Sequence, residues 1–132
     1  MNSITFDEFQ KTTEYQNFKR ENPSVGSLRV NVFAANVAIP LENVNIVITK
    51  KVGNYQVLFF DGFTDSSGII DNIVLPAPDI SSNNMEVPGY TFYDLNASRE
   101  GYQEVEQYEI AMFGNTKVIQ YVKLMPEVNN NV

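Results

Sequence analysis

The order of apolar and polar residues divides the chain into a short helical start and a longer region of strand-like alternation. Residues 5–21 predict a helix, because Thr5 followed by Glu8 is a capping-box pattern that satisfies backbone N–H groups at a helix start. Pro23 ends this helix, since the residue before a proline avoids the α region. Three phenylalanines give the helix a thin apolar stripe: Phe6, Phe9 and Phe18. We expect this stripe to dock on the rest of the fold or on a partner subunit.

From Gly26 onward the period of the pattern changes to two. Leu28, Val30 and Val32 alternate with other residues, and similar short segments follow at roughly ten-residue spacing with turn residues between them. The seven predicted strands begin near Gly26, Val44, Tyr55, Ile69, Tyr90, Gln103 and Lys117. This spacing predicts a mainly β fold, a seven-stranded antiparallel β-sandwich preceded by one short N-terminal α-helix.

The same pattern indicates one domain with short ends. Residues 1–24 are predicted to form the helix and a linker, residues 25–127 the β-sandwich, and residues 128–132 a frayed tail. Within the sandwich, Pro76–Gly89 reads as a long polar loop with three prolines. We expect this loop to take part in contacts with a partner.

Composition excludes several kinds of chemistry. The chain of 132 residues has no cysteine and no histidine, which excludes disulfides, thiolate catalysis, Ser-His-Asp systems and zinc sites that use these residues. Its net charge is −7 and its nine basic residues are scattered, so we expect neither nucleic acid nor an anionic membrane as a partner. The first residues lack a signal-peptide pattern and no window is apolar enough to span a bilayer. We therefore expect a cytoplasmic protein or one carried within a larger assembly.

Three aspartates are the candidates for a metal site. Asp61, Asp65 and Asp71 could meet at one end of the sandwich and offer oxygen ligands to calcium. Asp65, however, stands where an Asp side chain accepts a hydrogen bond from a backbone N–H two residues later in a turn. We interpret it as a turn-capping residue, and we predict neither a metal nor another cofactor.

The densest acidic stretch offers the only route to catalysis that composition leaves open. It contains four glutamates: Glu100, Glu104, Glu106 and Glu109. Two carboxyl groups at a suitable separation could hydrolyse a glycoside. Alternation along a strand instead places Glu104 and Glu106 together on an exposed face, and a solvated strand face is the better explanation. We therefore predict that the chain is not an enzyme.

Tyrosines support an alternative function in carbohydrate binding. Five of them could supply a stacking platform for sugar rings: Tyr90, Tyr93, Tyr102, Tyr108 and Tyr121. The chain has no tryptophan, which weakens this hypothesis. Tyrosines also pack commonly inside sandwiches with the hydroxyl group reaching the surface. A carbohydrate- or peptidoglycan-binding module therefore stays open as the alternative.

The order of these signals resembles the carboxypeptidase regulatory-like domain, a prealbumin-like (transthyretin-like, Ig-like) β-sandwich. The segments that carry the resemblance are Gly26–Val32, Ile39–Val44, Phe63–Ile69, Gly101-Tyr102 and Gln120–Pro126. The Leu75–Pro78 ending and the preceding helix are similar to a subgroup from low-GC Gram-positive bacteria. Its members stand alone or are attached to cell-wall and spore-cortex lytic enzymes.

This resemblance implies a fold more than an activity. Transthyretin-like hydrolases and intradiol dioxygenases share the architecture but rely on histidines, which this chain lacks. Related surface domains form an internal Lys–Asn isopeptide bond, and the first predicted strand carries Arg29 and Asn31 but no lysine. We therefore expect a non-catalytic structural or protein-interaction module of a bacterial cell-wall, spore or phage-tail-like assembly, with another protein or a cell-wall glycan as partner. The predicted contact residues are Phe6, Phe9, Phe18, Asp79, Met85, Tyr93 and Tyr102.

Overall fold

The computed structural model describes residues 2–79 and 89–128. Within these residues, eight strands form two sheets that pack face to face, and two short helices lie near the start. The strands are β1 (Asn2–Thr5), β2 (Ser24–Ala34), β3 (Asn45–Val52), β4 (Tyr55–Phe63), β5 (Ile69–Ala77), β6 (Thr91–Ser98), β7 (Val105–Met112) and β8 (Lys117–Leu124). The helices are α1 (Phe6–Phe9) and α2 (Glu14–Glu21). The mainly β sandwich is confirmed, with one strand and one helix more than predicted.

The two sheets differ in size and both are mixed. The larger has the strand order β1-β4-β3-β6-β7, and the smaller has the order β5-β2-β8. β1 pairs with β4 in parallel, and β2 pairs with β8 in parallel, whereas the other pairs are antiparallel. The prediction of a wholly antiparallel sandwich was therefore wrong at two pairs. Parallel neighbours need a long connection. The chain between β2 and β8 is long enough, because it forms four strands of the larger sheet before it returns.

The predicted helix over residues 5–21 is interrupted. Its start is confirmed, because the Thr5 hydroxyl accepts from the Glu8 N–H at 3.2 Å while the Glu8 carboxylate accepts from the Thr5 N–H at 3.2 Å. The first helix ends after one turn, where the Thr12 hydroxyl donates to the Phe9 carbonyl at 2.7 Å. Such side-chain bonds compete with continuation of the helix.

Both helices pack on the sandwich through a small apolar cluster. Phe9 and Phe18 are buried together with Val57 of β4, and their ring centroids lie 5.6 Å apart in an edge-on arrangement. Phe59 contacts this cluster and the main core, so the helices extend the core rather than stand apart from it. Of the two expectations for the phenylalanine stripe, docking on the sandwich is therefore the one observed.

The main core lies between the inner faces of the two sheets. Strands β2, β3, β5, β6, β7 and β8 bury alternate residues in it, among them Leu28, Val30, Ile46, Ile48, Leu95, Val122 and Leu124. The turn at Thr64–Gly68 closes one end, and Asp65 caps it as predicted by accepting from the N–H groups of Ser67 and Ile69 at 2.9 and 3.0 Å. The turn is thus fixed by its own side chain.

Candidate functional site

The residues predicted to contact a partner do not share one surface. Phe9, Phe18 and Tyr93 are 0%, 3% and 1% exposed, so a partner of this folded chain cannot reach them. Their placement at an interface was wrong, because their apolar rings fill the two buried clusters. Phe6 is partly buried against the smaller cluster, and Met85 lies outside the described residues.

The other two predicted contact residues lie apart from each other. Tyr102 packs partly against the main core, and the Arg99 guanidinium lies 5.6 Å from its ring centroid. Asp79 is partly exposed and ends the first described range. Most of the predicted Pro76–Gly89 loop lies in residues 80–88, outside the described ranges, as does nearly all of the predicted tail.

The three aspartates considered for calcium are engaged separately. Asp61 accepts from the Asn45 side-chain amide at 2.7 Å, Asp65 caps its turn, and Asp71 pairs with Lys117 at 3.2 Å. Within residues 2–79 and 89–128, no group of three or more acidic residues is arranged to hold a metal ion. The structure therefore gives these side chains local structural roles.

The acidic stretch is a solvated surface. Glu100, Glu104, Glu106 and Glu109 are all exposed, and Glu104 accepts from the Asn96 side-chain amide at 3.0 Å. A glycosidase acid needs an environment that keeps one carboxyl group protonated near neutral pH, usually by burial. These exposed side chains lack that burial.

The tyrosines do not form a common platform. Tyr93 is buried, Tyr102 is partly buried, and the side chain of Tyr108 is not described. Tyr121 lies on the three-stranded sheet, whereas Tyr90 precedes β6 of the five-stranded sheet. Among the residues described, the two exposed tyrosines, Tyr90 and Tyr121, therefore lie at separate places.

The outer face of the three-stranded sheet presents apolar side chains to solvent. Alternation buries Leu28, Val30 and Val32 of β2 and turns the residues between them outward. The strand register then sets outward residues of β5 and β8 beside them, since Val74 pairs with Ser27 and Tyr121 with Asn31. The most exposed apolar residues of this face are Val25, Val74, Ile119 and Tyr121, each 49–61% exposed. We call this surface the outer sheet face.

Basic side chains accompany the apolar ones on the outer sheet face. The three strands carry Arg29, Lys117, Lys123 and one acid, Asp71, so their net charge is +2 (three minus one) in a chain of −7. The backbone N–H of Asn72 and the nearby Lys117 lower the pKa of Asp71. The face is therefore positive while the rest of the chain sums to −9 (−7 minus 2).

A polar groove of about 450 Å³ lies between α2, the β3–β4 hairpin and the residues that lead into β6. Its lining includes Glu14, Glu21, Asn22, Lys50, Lys51 and Tyr90. We call it the α2 groove. Its place in the fold follows from the interrupted helix, because Phe18 anchors α2 against the end of the sandwich while the polar side of α2 borders the groove.

Lys50 is the most constrained cation of the α2 groove. Its Nζ donates to the Phe92 carbonyl at 2.8 Å and lies 5.4 Å from the Tyr93 ring centroid. Burial lowers the pKa of Lys50, against the opposing effect of the negative charges on Asp94 and Glu21. The ammonium group of a half-buried lysine has lost part of its hydration. An uncharged hydrogen-bond acceptor on a ligand can accept its protons in place of water.

Asn22 supplies a buried polar group at the same place. The residue is 8% exposed, its Nδ2 donates to the Phe18 carbonyl at 3.0 Å, and its Oδ1 has no hydrogen-bond partner in the described structure. No sequence pattern used above pointed to this groove. The available signal was alternation in β3, where Lys50 continues the inward series of Ile46 and Ile48 and so puts a charge where an apolar residue is expected.

In the ranges that the structure describes, no helix has the length and apolarity that a membrane span requires.

No protein-family model matches the chain, and no curated protein matches it in sequence. Among solved structures, the chain is similar to the 5-hydroxyisourate hydrolase of Klebsiella pneumoniae, with a TM-score of 0.52 and 13% identity over 78% of this chain and 92% of the hydrolase. It is similar to the Bacillus anthracis TIE protein, with a TM-score of 0.53 and 16% identity over 78% of this chain and 17% of that one.

A third similar structure is GBS52, the minor pilin of Streptococcus agalactiae, with a TM-score of 0.51 and 17% identity over 83% of this chain and 48% of the pilin. Identities this low establish the fold alone. They confirm the prealbumin-like (transthyretin-like) β-sandwich. A hydrolase and a minor pilin both have this fold, so the fold assigns no activity to this chain.

Proposed function

We propose that the chain is a non-catalytic β-sandwich module that binds another protein through its outer sheet face. The observation that supports this most is the exposure of Val74, Ile119 and Tyr121 on one side of a sheet whose other side is the core. The solvated face of a sheet normally carries polar side chains, and grouped apolar residues on a surface mark interaction sites.

The charge of the face indicates what kind of partner it takes. Arg29, Lys117 and Lys123 accompany the apolar residues. Asp71 of the same face pairs with Lys117 at 3.2 Å and also interacts electrostatically with Arg29. The complementary surface is apolar at its centre and acidic at its rim. Charged rims of this kind accelerate association and make it sensitive to salt, while the buried apolar centre supplies most of the affinity.

The proposed setting is a bacterial cell-wall, spore or phage-tail-like assembly. It rests on the resemblance of the chain to the carboxypeptidase regulatory-like subgroup of low-GC Gram-positive bacteria. The likeness to a minor pilin from a Gram-positive pathogen agrees with such a setting, within the limit that it concerns the fold. A scaffold domain in an assembly needs exposed binding surface and no reactive groups, which is consistent with a chain that has neither cysteine nor histidine.

The test is partner capture with face variants. The tagged chain, an Ile119→Ser/Tyr121→Ser variant and a Phe63→Ser control are exposed to an extract of the native cells, and the retained proteins are quantified by mass spectrometry. Phe63 is the matched control because it is 64% exposed and lies on the five-stranded sheet. We expect one acidic partner to bind the chain and the control equally and the double variant about tenfold less.

The binding must then be reproduced with the purified partner and weaken as salt rises. Equal retention by the double variant and the chain would overturn the proposal. Light scattering across a range of protein concentrations tests whether a second copy of the chain occupies the outer sheet face. A dimer that the double variant abolishes would show self-association and overturn the proposal of a separate partner. Hydrolysis of a wall glycan by the purified chain would contradict its non-catalytic character.

A further inference from the structure

The α2 groove is balanced in charge although the chain is acidic. Glu14 and Glu21 face it from the helix, and Lys50 and Lys51 face it from the hairpin, so that two negative and two positive side chains line it. Such a lining gives no net attraction to an anion or to a cation. It favours a ligand that carries no net charge.

The groove offers both hydrogen-bond donors and acceptors. The Lys50 ammonium donates one proton to the Phe92 carbonyl, and its other protons can be donated to a ligand oxygen. Glu14 and Glu21 line the groove from α2 and bring carboxylate oxygens, which accept hydrogen bonds. Hydroxyl groups both donate and accept, so a hydroxylated ligand can bond to both kinds of side chain.

One wall of the groove is an aromatic ring. Tyr90 is 43% exposed, and its ring contacts those of Phe92 and Phe113 at centroid distances of 5.2 and 6.2 Å. A ring packed in this way offers an apolar surface beside polar side chains. Small-ligand sites combine an apolar wall with a few placed polar groups in a cavity of about 300–1,000 Å³, and the groove falls within this range.

We propose that the α2 groove binds a neutral, polyhydroxylated ligand of the saccharide class. The C–H face of a sugar ring packs on Tyr90, and its hydroxyl groups bond to Lys50 and to the side chains along α2. This site is separate from the outer sheet face, so it does not depend on the proposed protein interaction. It uses one tyrosine rather than the platform of several that the sequence suggests.

The experiment is an NMR titration of the ¹⁵N-labelled chain with three neutral disaccharides: cellobiose, maltose and N,N′-diacetylchitobiose. Glucuronic acid and glucosamine serve as the acidic and basic probes. We expect at least one neutral disaccharide to shift the amide signals of Glu21, Asn22 and the segment 50–53. The Tyr90→Ala replacement should weaken this binding about tenfold, because the sugar loses the aromatic wall and the apolar area buried against it.

Tyr121→Ala is the matched control, since Tyr121 is 58% exposed on the other sheet and should leave the binding unchanged. Both tyrosines are exposed, so neither replacement threatens the fold. The proposal is overturned if no neutral disaccharide shifts the groove signals at about 10 mM, a concentration that fills any millimolar site. Equal weakening by both replacements, or binding of a charged probe alone, would also overturn it.

Discussion

The hydroxyl group of Tyr93 donates a hydrogen bond of 2.6 Å to the carbonyl oxygen of Pro76. Tyr93 belongs to β6 of the five-stranded sheet and Pro76 to β5 of the three-stranded sheet, so this bond joins the two layers. Burial raises the pKa of Tyr93 far above its usual value, which keeps the donor protonated at any ordinary pH. The same residue that the sequence suggested as a contact for partners thus ties the sandwich together.

Replacing Tyr93→Phe should lower the free energy of unfolding by about 1–2 kcal/mol, because the ring stays in place while the Pro76 carbonyl loses its donor. Urea denaturation measures this change. Tyr121→Phe removes an exposed hydroxyl and should change stability by less than about 0.5 kcal/mol. Equal effects of the two replacements would show that the hydrogen bond between the sheets contributes nothing to the free energy of unfolding.

Replacing Thr64→Val should be more damaging than its similar shape suggests. Thr64 is 3% exposed, and its hydroxyl accepts from the Val44 N–H at 3.0 Å and donates to the Leu41 carbonyl at 2.6 Å. Valine leaves both backbone groups buried without these partners, and we expect a loss of about 2–4 kcal/mol in urea denaturation.

Thr64→Ser keeps the hydroxyl and removes one methyl group, so it should cost only about 1 kcal/mol. If serine proves as damaging as valine, the packing of the methyl group rather than the two hydrogen bonds holds this turn.

Replacing Gly68→Ala should destabilise the chain more than replacing Gly101→Ala. Both glycines have positive φ, at 73° and 88°, and an alanine in that region costs about 1–2 kcal/mol. A Cβ at residue 68 would also clash with the Val32 carbonyl oxygen, whereas a Cβ at residue 101 meets no described atom within 4 Å. In thermal and urea unfolding, the free energies of unfolding of the two variants should therefore differ by about 1–3 kcal/mol. Equal losses would show that a Cβ at residue 68 is not crowded.

Asp71→Asn should change the acid dependence of stability. The folded state lowers the pKa of Asp71 below its ordinary 3.8, chiefly through the Asn72 N–H and then through Lys117. The resulting stabilisation is fully present above pH 3.8 and is lost as pH falls through the depressed folded pKa. The urea midpoint of the unchanged chain should be higher than that of the variant at neutral pH, and this difference should vanish in strong acid. A difference that is constant with pH would refute this linkage.

Local patterns predicted most of the fold, because period-two alternation and turn residues act over short distances. The strands from β2 onward and the Asp65 turn were found in this way. β1 was missed because Asn2–Thr5 is four residues long and Ile4 is its only large apolar residue. The parallel pairings were missed because they join segments far apart in sequence, and alternation carries no information about strand direction.

The candidate sites were harder to predict because side-chain chemistry does not reveal burial. Phe18 and Tyr93 read equally well as contact residues and as core residues, and only the packing of α2 and the sheets decides between them. Ile119 and Tyr121 point outward from β8 because Val122 and Leu124 fix which side faces the core. Asn22 precedes Pro23 and caps the end of α2, and nothing in this local pattern reveals that it also lines a groove.

The parallel pairing of β2 with β8 has a mechanical consequence. The two strands run side by side from the pair Ser27 with Lys117 to the pair Ala34 with Leu124. Tension applied between Ser24 and Leu124 pulls the two strands in opposite directions along their length, so the ladder is loaded in shear. Its hydrogen bonds then resist together instead of opening one after another. A sandwich closed in this way resists tension applied to the ends of these two strands.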